Sequence, residues 1–283
     1  MDDRSADLGH TSNDLGLMSA SWERFCEALQ HESRYVFMLN RDHDNAQSED
    51  EVPATRVLRE LGDIVEGLGL LRVLPAGYRV WRARAHESPS IDGSAKGLGT
   101  VPDEMALQAN RLSPAGIAMF YGAEDTETAV QEIAARSLAS WVTFGQFETS
   151  QSCMVVDFAG FSAMLSDPSP ALGQHADRDR HPLVFVRSLL AQLSRPAREQ
   201  YERIDYVPTQ VVTEYLLRVY GRDRPVLGML YSSALTGRPS VVLDIPNGCC
   251  VECEPGWASV DELRLGLVPG SVRTIRLADI QTD

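Results

Sequence analysis

The residues of this sequence best suited to chemistry are a few arginines, one helical glutamate, a tyrosine and two adjacent serines. Arg82 and Arg84 lie in "YRVWRAR", where they alternate with Val80, Trp81 and Ala83 in the manner of a half-buried strand. Strand residues two apart share a face, and a face carrying two guanidiniums is rarely plain core. A guanidinium fork suits phosphate, which it clamps in a bidentate fashion that lysine does not match. The plainer alternative is a solvated edge face, and pattern alone favours it. Arg111 stands just before a turn, where a surface arginine would also be ordinary. Tyr121 ends an apolar run, as a core tyrosine with a wet hydroxyl would. Glu132 lies off the apolar face of its helix with Arg136 four residues on, which by itself describes a surface ion pair worth a few tenths of a kcal/mol. Gln210 in "DYVPTQ" and the serines of "LYSSA", Ser232 and Ser233, look equally unexceptional one at a time.

Local elements must bring these residues together. Ser113-Pro114-Ala115-Gly116 reads as a turn, because proline presets its own φ and glycine tolerates a positive one. Residues 117–121 have the length of a short strand. Asp125 or Thr126 can then cap a helix whose Ala129, Val130, Ile133 and Ala134 form one apolar face. "WVTFGQF" and "CMVVDF" read as two more strands and as candidate neighbours. "PLVFVRSLLAQLS" and "PTQVVTEYLLRVY" read as amphipathic helices with proline in the first turn, where a missing N–H costs nothing. "LGMLYSS", "SVVLDI" and "SVRTIRL" close the chain as strands. Strands and helices do not alternate regularly, which predicts an α+β fold with a mixed, largely antiparallel sheet and flanking helices.

Composition narrows the function classes. The chain has 283 residues, 43% hydrophobic and 23% charged, as in ordinary globular proteins. Its net charge of −14 argues against nucleic acid as a direct partner, so an anionic ligand would need a locally basic pocket. The start, "MDDRSADLGH", is acidic where a leader would be basic, and no apolar run reaches the length of a membrane span, so a cytoplasmic protein away from any membrane is expected. Five cysteines without an export signal predict free thiols, and "CCVEC" lacks a second ligand pair, so no metal site is expected. "GLGLLR" and "GLGTVP" lack the third glycine and the strand-to-helix setting of a dinucleotide fold. There is no P-loop, no G-x-S-x-G and no H-E-x-x-H. Residues 1–75 read as a helical N-terminal region, with Trp22, Phe25, Cys26 and Leu29 and then Val57, Leu58, Leu61, Ile64 and Val65 at helical spacing around a polar loop, "NRDHDNAQSEDEVPATR". Residues 76–283 read as the main domain.

Taken in order, the pieces resemble the RES domain family, in a longer subgroup with an N-terminal helical region. Trp81-Arg82 is similar to the family's aromatic-arginine pair on a first strand. Arg111, the turn glycine Gly116, Tyr121 and Glu132 are similar to its second motif, and the ten residues between Tyr121 and Glu132 are its most specific spacing. Gln210 and the Ser232-Ser233 pair resemble the remaining motifs. "NRLSP" stands where many members have Gly-Arg-Trp-Asn, and Trp81 where tyrosine is common. The resemblance implies an ADP-ribosyltransferase-like fold that consumes NAD+ by phosphorolysis, by hydrolysis or by transfer of ADP-ribose to a protein. It implies the toxin of a toxin–antitoxin system, neutralised by an Xre-type antitoxin protein. NAD+ is then a substrate, with phosphate a candidate co-substrate and no resident cofactor. In that setting Arg82, Glu132 and Ser233 are expected to be catalytic, and Trp81, Arg84, Arg111, Tyr121, Gln210 and Ser232 to bind NAD+. The two departures leave open a non-catalytic interaction protein on the same fold, and the oligomeric state is open as well.

Overall fold

A computed structural model of the chain describes residues 20–39, 53–166, 180–194, 200–220, 225–259 and 261–280. Residues 1–19 and most of the polar loop expected at 40–56 lie outside them. Among the described residues ten strands share one sheet: β1 (Leu71–Leu74), β2 (Arg79–His86), β3 (Phe120–Ala123), β4 (Trp141–Thr149), β5 (Cys153–Asp157), β6 (Val226–Ser232), β7 (Pro239–Leu243), β8 (Cys250–Glu252), β9 (Leu265–Leu267) and β10 (Arg273–Arg276). The order is β1-β5-β6-β7-β3-β2-β4-β9-β8, with β10 also on β4. Only β5–β6 and β8–β9 run parallel, so the sheet is mixed and largely antiparallel as the pattern predicts. The fold is α+β and fits the ADP-ribosyltransferase-like architecture.

β4 and β5 are not the neighbours that their short connection suggests. β4 is paired along eight residues with β2, and its other edge takes β9 and β10. Its end is tied to the connection before β2, where Gly77 N–H donates to Thr149 O at 2.8 Å and the Thr149 hydroxyl to Pro75 O at 2.9 Å. β5 instead lies between β1 and β6.

The helices cover the sheet where their apolar faces demand it. A helical segment over 20–27 runs on into a π-helical turn, Ala28–Glu32, and buries Trp22, Phe25 and Leu29. Helix α1 (Val57–Gly67) buries Val57, Leu58, Leu61, Ile64 and Val65, the residues whose spacing predicts it. These side chains share one continuous core with Val156 and Met229 of the sheet and with Leu216 beyond α5 (Val207–Glu214). Gly62 permits the close approach: a Cβ there would stand 2.8 Å from the Tyr215 hydroxyl. Two further helices, α3 (Phe158–Ser166) and α4 (Arg180–Ser194), complete this layer.

Helix α2 (Thr126–Ala134) begins where its cap predicts, with Asp125 accepting from Thr128 N–H at 2.9 Å. Its Ala129 and Val130 pack on Ala83, Ala123 and Val142 of the sheet. β2 and β3 pair only at Trp81 and Ala123, and beyond that point they part. The opening between them, with α2 beside it, is the feature that positions the site. All five cysteines are free, in line with the reading from composition. Among the described residues no helix is long and apolar enough to cross a membrane, and no group of three His, Cys, Asp or Glu residues could hold a metal.

Candidate active site

A cavity of about 520 Å³ occupies this opening. Trp81, Arg82, Arg84, Arg111, Tyr121 and Glu132 all line it, brought from β2, β3, α2 and the loop before β3. That loop turns at Gly116, whose φ of +90° is the left-handed conformation its glycine allows.

The arginines are braced by backbone carbonyls. Arg82 reaches across the opening: its Nε donates to Leu98 O at 2.9 Å and its Nη1 to Tyr121 O at 2.8 Å. Its guanidinium also lies 4.9 Å from the centre of the Phe120 ring. Burial, with the repulsion of Arg84 added, lowers its pKa to about 10, which leaves it cationic at neutral pH. Arg84 Nη2 donates to Gly99 O at 3.2 Å, and burial lowers its pKa as well. Arg111 is 7% exposed, bonded to Gln192 O at 3.0 Å and packed 5.3 Å from the Tyr206 ring centre. Carbonyl anchoring holds each fork in place, so little rotamer freedom remains to these side chains.

Glu132 satisfies two readings at once. The predicted ion pair is present, with Arg136 Nη2 3.5 Å from its Oε2. Its other oxygen accepts a 2.5 Å hydrogen bond from the Ser233 hydroxyl, across 101 residues of sequence. The Glu132 side chain is 22% exposed against 45% for Arg136, so the carboxylate sits in the wall and its partner arginine reaches outward. Ser233 is 3% exposed, and its oxygen also accepts from Leu235 N–H at 3.2 Å and Thr236 N–H at 3.3 Å. Those two donors turn the hydroxyl proton toward Glu132. Ser233 is therefore the serine that meets the glutamate. Ser232, at the end of β6, pairs in the ladder with Pro239; neither serine is among the lining residues, and Ser233 meets the cavity only through Glu132.

Gln210 acts from behind. Its Nε2 donates to Asn110 O at 2.8 Å and Ser113 O at 3.4 Å, and Thr209 Oγ1 donates to Arg111 O at 2.6 Å. One turn of α5 thus grips the loop that carries Arg111. Gln210 itself faces a neighbouring cavity of about 800 Å³ rather than the one holding Glu132. Tyr121 shares a 2.9 Å hydrogen bond with Ser113 Oγ, and burial raises its pKa to about 12.

Several lining residues were not among the expected site residues. Asn110 precedes Arg111, and Arg136, expected only as the ion-pair partner of Glu132, lines the cavity too. Tyr231 and Ser240 are adjacent across β6 and β7, a relation only strand register reveals. Burial raises the Tyr231 pKa, and the nearby Glu132 charge adds to it. Among the described lining residues Arg82, Arg84, Arg111 and Arg136 face a single carboxylate, Glu132. A chain of net charge −14 has gathered a cationic pocket around one anion.

A cavity of this kind, set in an opening of an α+β sheet, gathers four guanidiniums around one carboxylate. The chain belongs to the RES domain family, whose family model matches residues 79–260, from β2 past β8. Every lining residue predicted from the sequence falls inside that span. Nothing among curated proteins matches the chain, and no solved structure does.

Proposed function

We propose that this protein consumes NAD+, cleaving the bond between nicotinamide and ribose. One observation carries the reading: four guanidiniums converge on a cavity whose single carboxylate is bonded to a buried serine. NAD+ presents the matching charges, a pyrophosphate and, as the bond breaks, a positive ribosyl carbon. In this reading Arg82, Arg84 and Arg111 hold the pyrophosphate, and Tyr121 and Trp81 wall the rings.

Nicotinamide leaves with the electron pair of the C–N bond, which neutralises its ring nitrogen. Positive charge then develops on C1′ and the ring oxygen of the ribose, as in glycoside cleavage. Glu132 stabilises that charge and fixes the ribose hydroxyls, a contribution strongest in a site that excludes water. Ser233 holds the carboxylate in place. The cation is captured at C1′ by water, which releases a proton to solvent, or by phosphate. Capture by a protein nucleophile would make the same site an ADP-ribosyltransferase. Membership of the RES domain family supports a proposed role as the toxin of a toxin–antitoxin pair, countered by an Xre-type protein.

The test is incubation of the purified full chain with NAD+, following free nicotinamide with and without added phosphate. Release of nicotinamide is expected in stoichiometric amount with NAD+ loss. Undiminished NAD+ at high protein concentration would sink the proposal.

A further inference from the structure

The register of the sheet places four cavity-lining residues in one row. Trp81 on β2 faces Ala123 on β3, Ala123 faces Ser240 on β7, and Ser240 faces Tyr231 on β6. Directly paired residues of antiparallel strands project from the same face of a sheet. Three steps of about 4.8 Å set the Trp81 and Tyr231 backbones roughly 14 Å apart. Two rings therefore close the ends of a slot, with two small residues as its floor. Ala129 of α2 lines the slot as well, and its methyl group leaves room for a flat ligand.

The floor holds an unmet polar group. Ser240 is 2% exposed, and its hydroxyl has no hydrogen-bond partner. Buried hydroxyls are almost always bonded, because leaving one unmet costs more than a made bond contributes. Beside it, the Tyr231 phenol lines the cavity near Glu132 and makes no hydrogen bond among the described residues. Both groups can donate and accept, and both are neutral at physiological pH. The arginines already provide for an anion. What the slot lacks is a planar, uncharged partner that offers both a donor and an acceptor.

We propose that Tyr231 and Ser240 form an amide-reading subsite, which takes a carboxamide on a flat aromatic ring between Trp81 and Tyr231. Resting on the NAD+ reading above, this assigns the slot to the nicotinamide end of the dinucleotide and the arginines to the rest. The carboxamide carbonyl accepts from one hydroxyl and its NH2 donates to the other. No covalent step is involved.

Binding of nicotinamide and of ADP-ribose to the full chain, each followed by thermal shift, separates the two halves without requiring turnover. Ser240→Ala and Tyr231→Phe each remove one hydroxyl and little volume. Each variant should raise the half-saturating nicotinamide concentration by about five- to tenfold, the usual worth of one neutral hydrogen bond. Binding of ADP-ribose should stay within about twofold by the same argument. Unliganded Ser240→Ala should melt no lower than the parent, since it loses no bond; if Tyr231→Phe fails to fold, Ser240→Ala alone decides. The subsite is overturned if the parent binds ADP-ribose but nicotinamide binding is absent or unchanged by the substitutions. It is equally overturned if both ligands weaken together. A parent that binds neither ligand overturns the NAD+ reading and the subsite with it.

Discussion

Glu132→Gln separates charge from shape. The side chain keeps its length and an oxygen that can accept from Ser233, so the 2.5 Å contact persists as a neutral hydrogen bond. Two stabilising contributions shrink. The pair with Arg136 is partly exposed, and such helical pairs contribute about 0.3–0.5 kcal/mol. A hydrogen bond to a charged group contributes about 1.5–3 kcal/mol against roughly 1 for a neutral one, so that change costs about 1 kcal/mol. The fold should therefore survive with a modest fall in melting temperature. Activity should not. Removing one preorganised group that opposes developing charge typically costs on the order of 100- to 1000-fold in rate, or about 3–4 kcal/mol. The arginines are untouched, so NAD+ should still bind. Initial rates of nicotinamide release, a binding isotherm for ADP-ribose and a melting curve together test this. A folded Glu132→Gln protein that consumes NAD+ at the parent rate would return Glu132 to being one half of a surface ion pair.

Three other perturbations probe the supports of the site. Ser233→Ala removes the donor to Glu132 and the acceptor of two backbone N–H groups, so denaturant unfolding should show a loss of about 2–4 kcal/mol, with kcat falling more than KM rises. Gln210→Ala removes one donor from the Asn110 and Ser113 carbonyls, which keep the backbone N–H groups of each other; a loss of about 1 kcal/mol and weaker ADP-ribose binding are expected, and unchanged binding would show that the Arg111 loop holds itself. Tyr121 has its pKa raised from 10.0 to about 12, so the folded state holds its proton more tightly than the unfolded chain. That stability is complete below pH 10 and is lost as pH rises toward 12, by on the order of 2–3 kcal/mol. Tyr121→Phe should flatten the alkaline limb of a pH–stability curve, and an equally steep limb would refute the assignment.

What could be read from the sequence was whatever local chemistry decides. Asp125 and Thr126 both offer a cap ahead of an apolar stripe, and Asp125 takes it; Gly116 suits the turn because glycine accepts the positive φ found there. A strand end and a helix only ten residues apart cannot separate widely, so Tyr121 and Glu132 share a cavity. Where bonds link distant segments, spacing carries no signal. Gln210 was legible as a motif residue, but its amide answers two carbonyls about 100 residues away. The short β9, Leu265–Leu267, is too brief to show a period, and β1 sits within the stretch read as purely helical. β4 and β5 read as candidate neighbours because strands beside a short connection often pair, yet the turn is used to leave one half of the sheet for the other.

That same crossing explains how the site arises. β3 and β2 join the two halves of the sheet through one pair, Trp81 with Ala123, and a junction so short cannot keep the strands together beyond it. Arg82 spans the gap with one fork, donating to the Tyr121 carbonyl on β3 and to the Leu98 carbonyl at the end of a short helical turn, Ala95–Leu98. Lysine in its place would bring a point charge instead of a rigid fork, and would bridge the gap less well. The guanidinium that closes the sheet's break is thus the one that makes the break cationic. Arg82→Lys should accordingly lower thermal stability and ADP-ribose affinity together. A variant that loses affinity at unchanged stability would show that the brace and the binding site are separate.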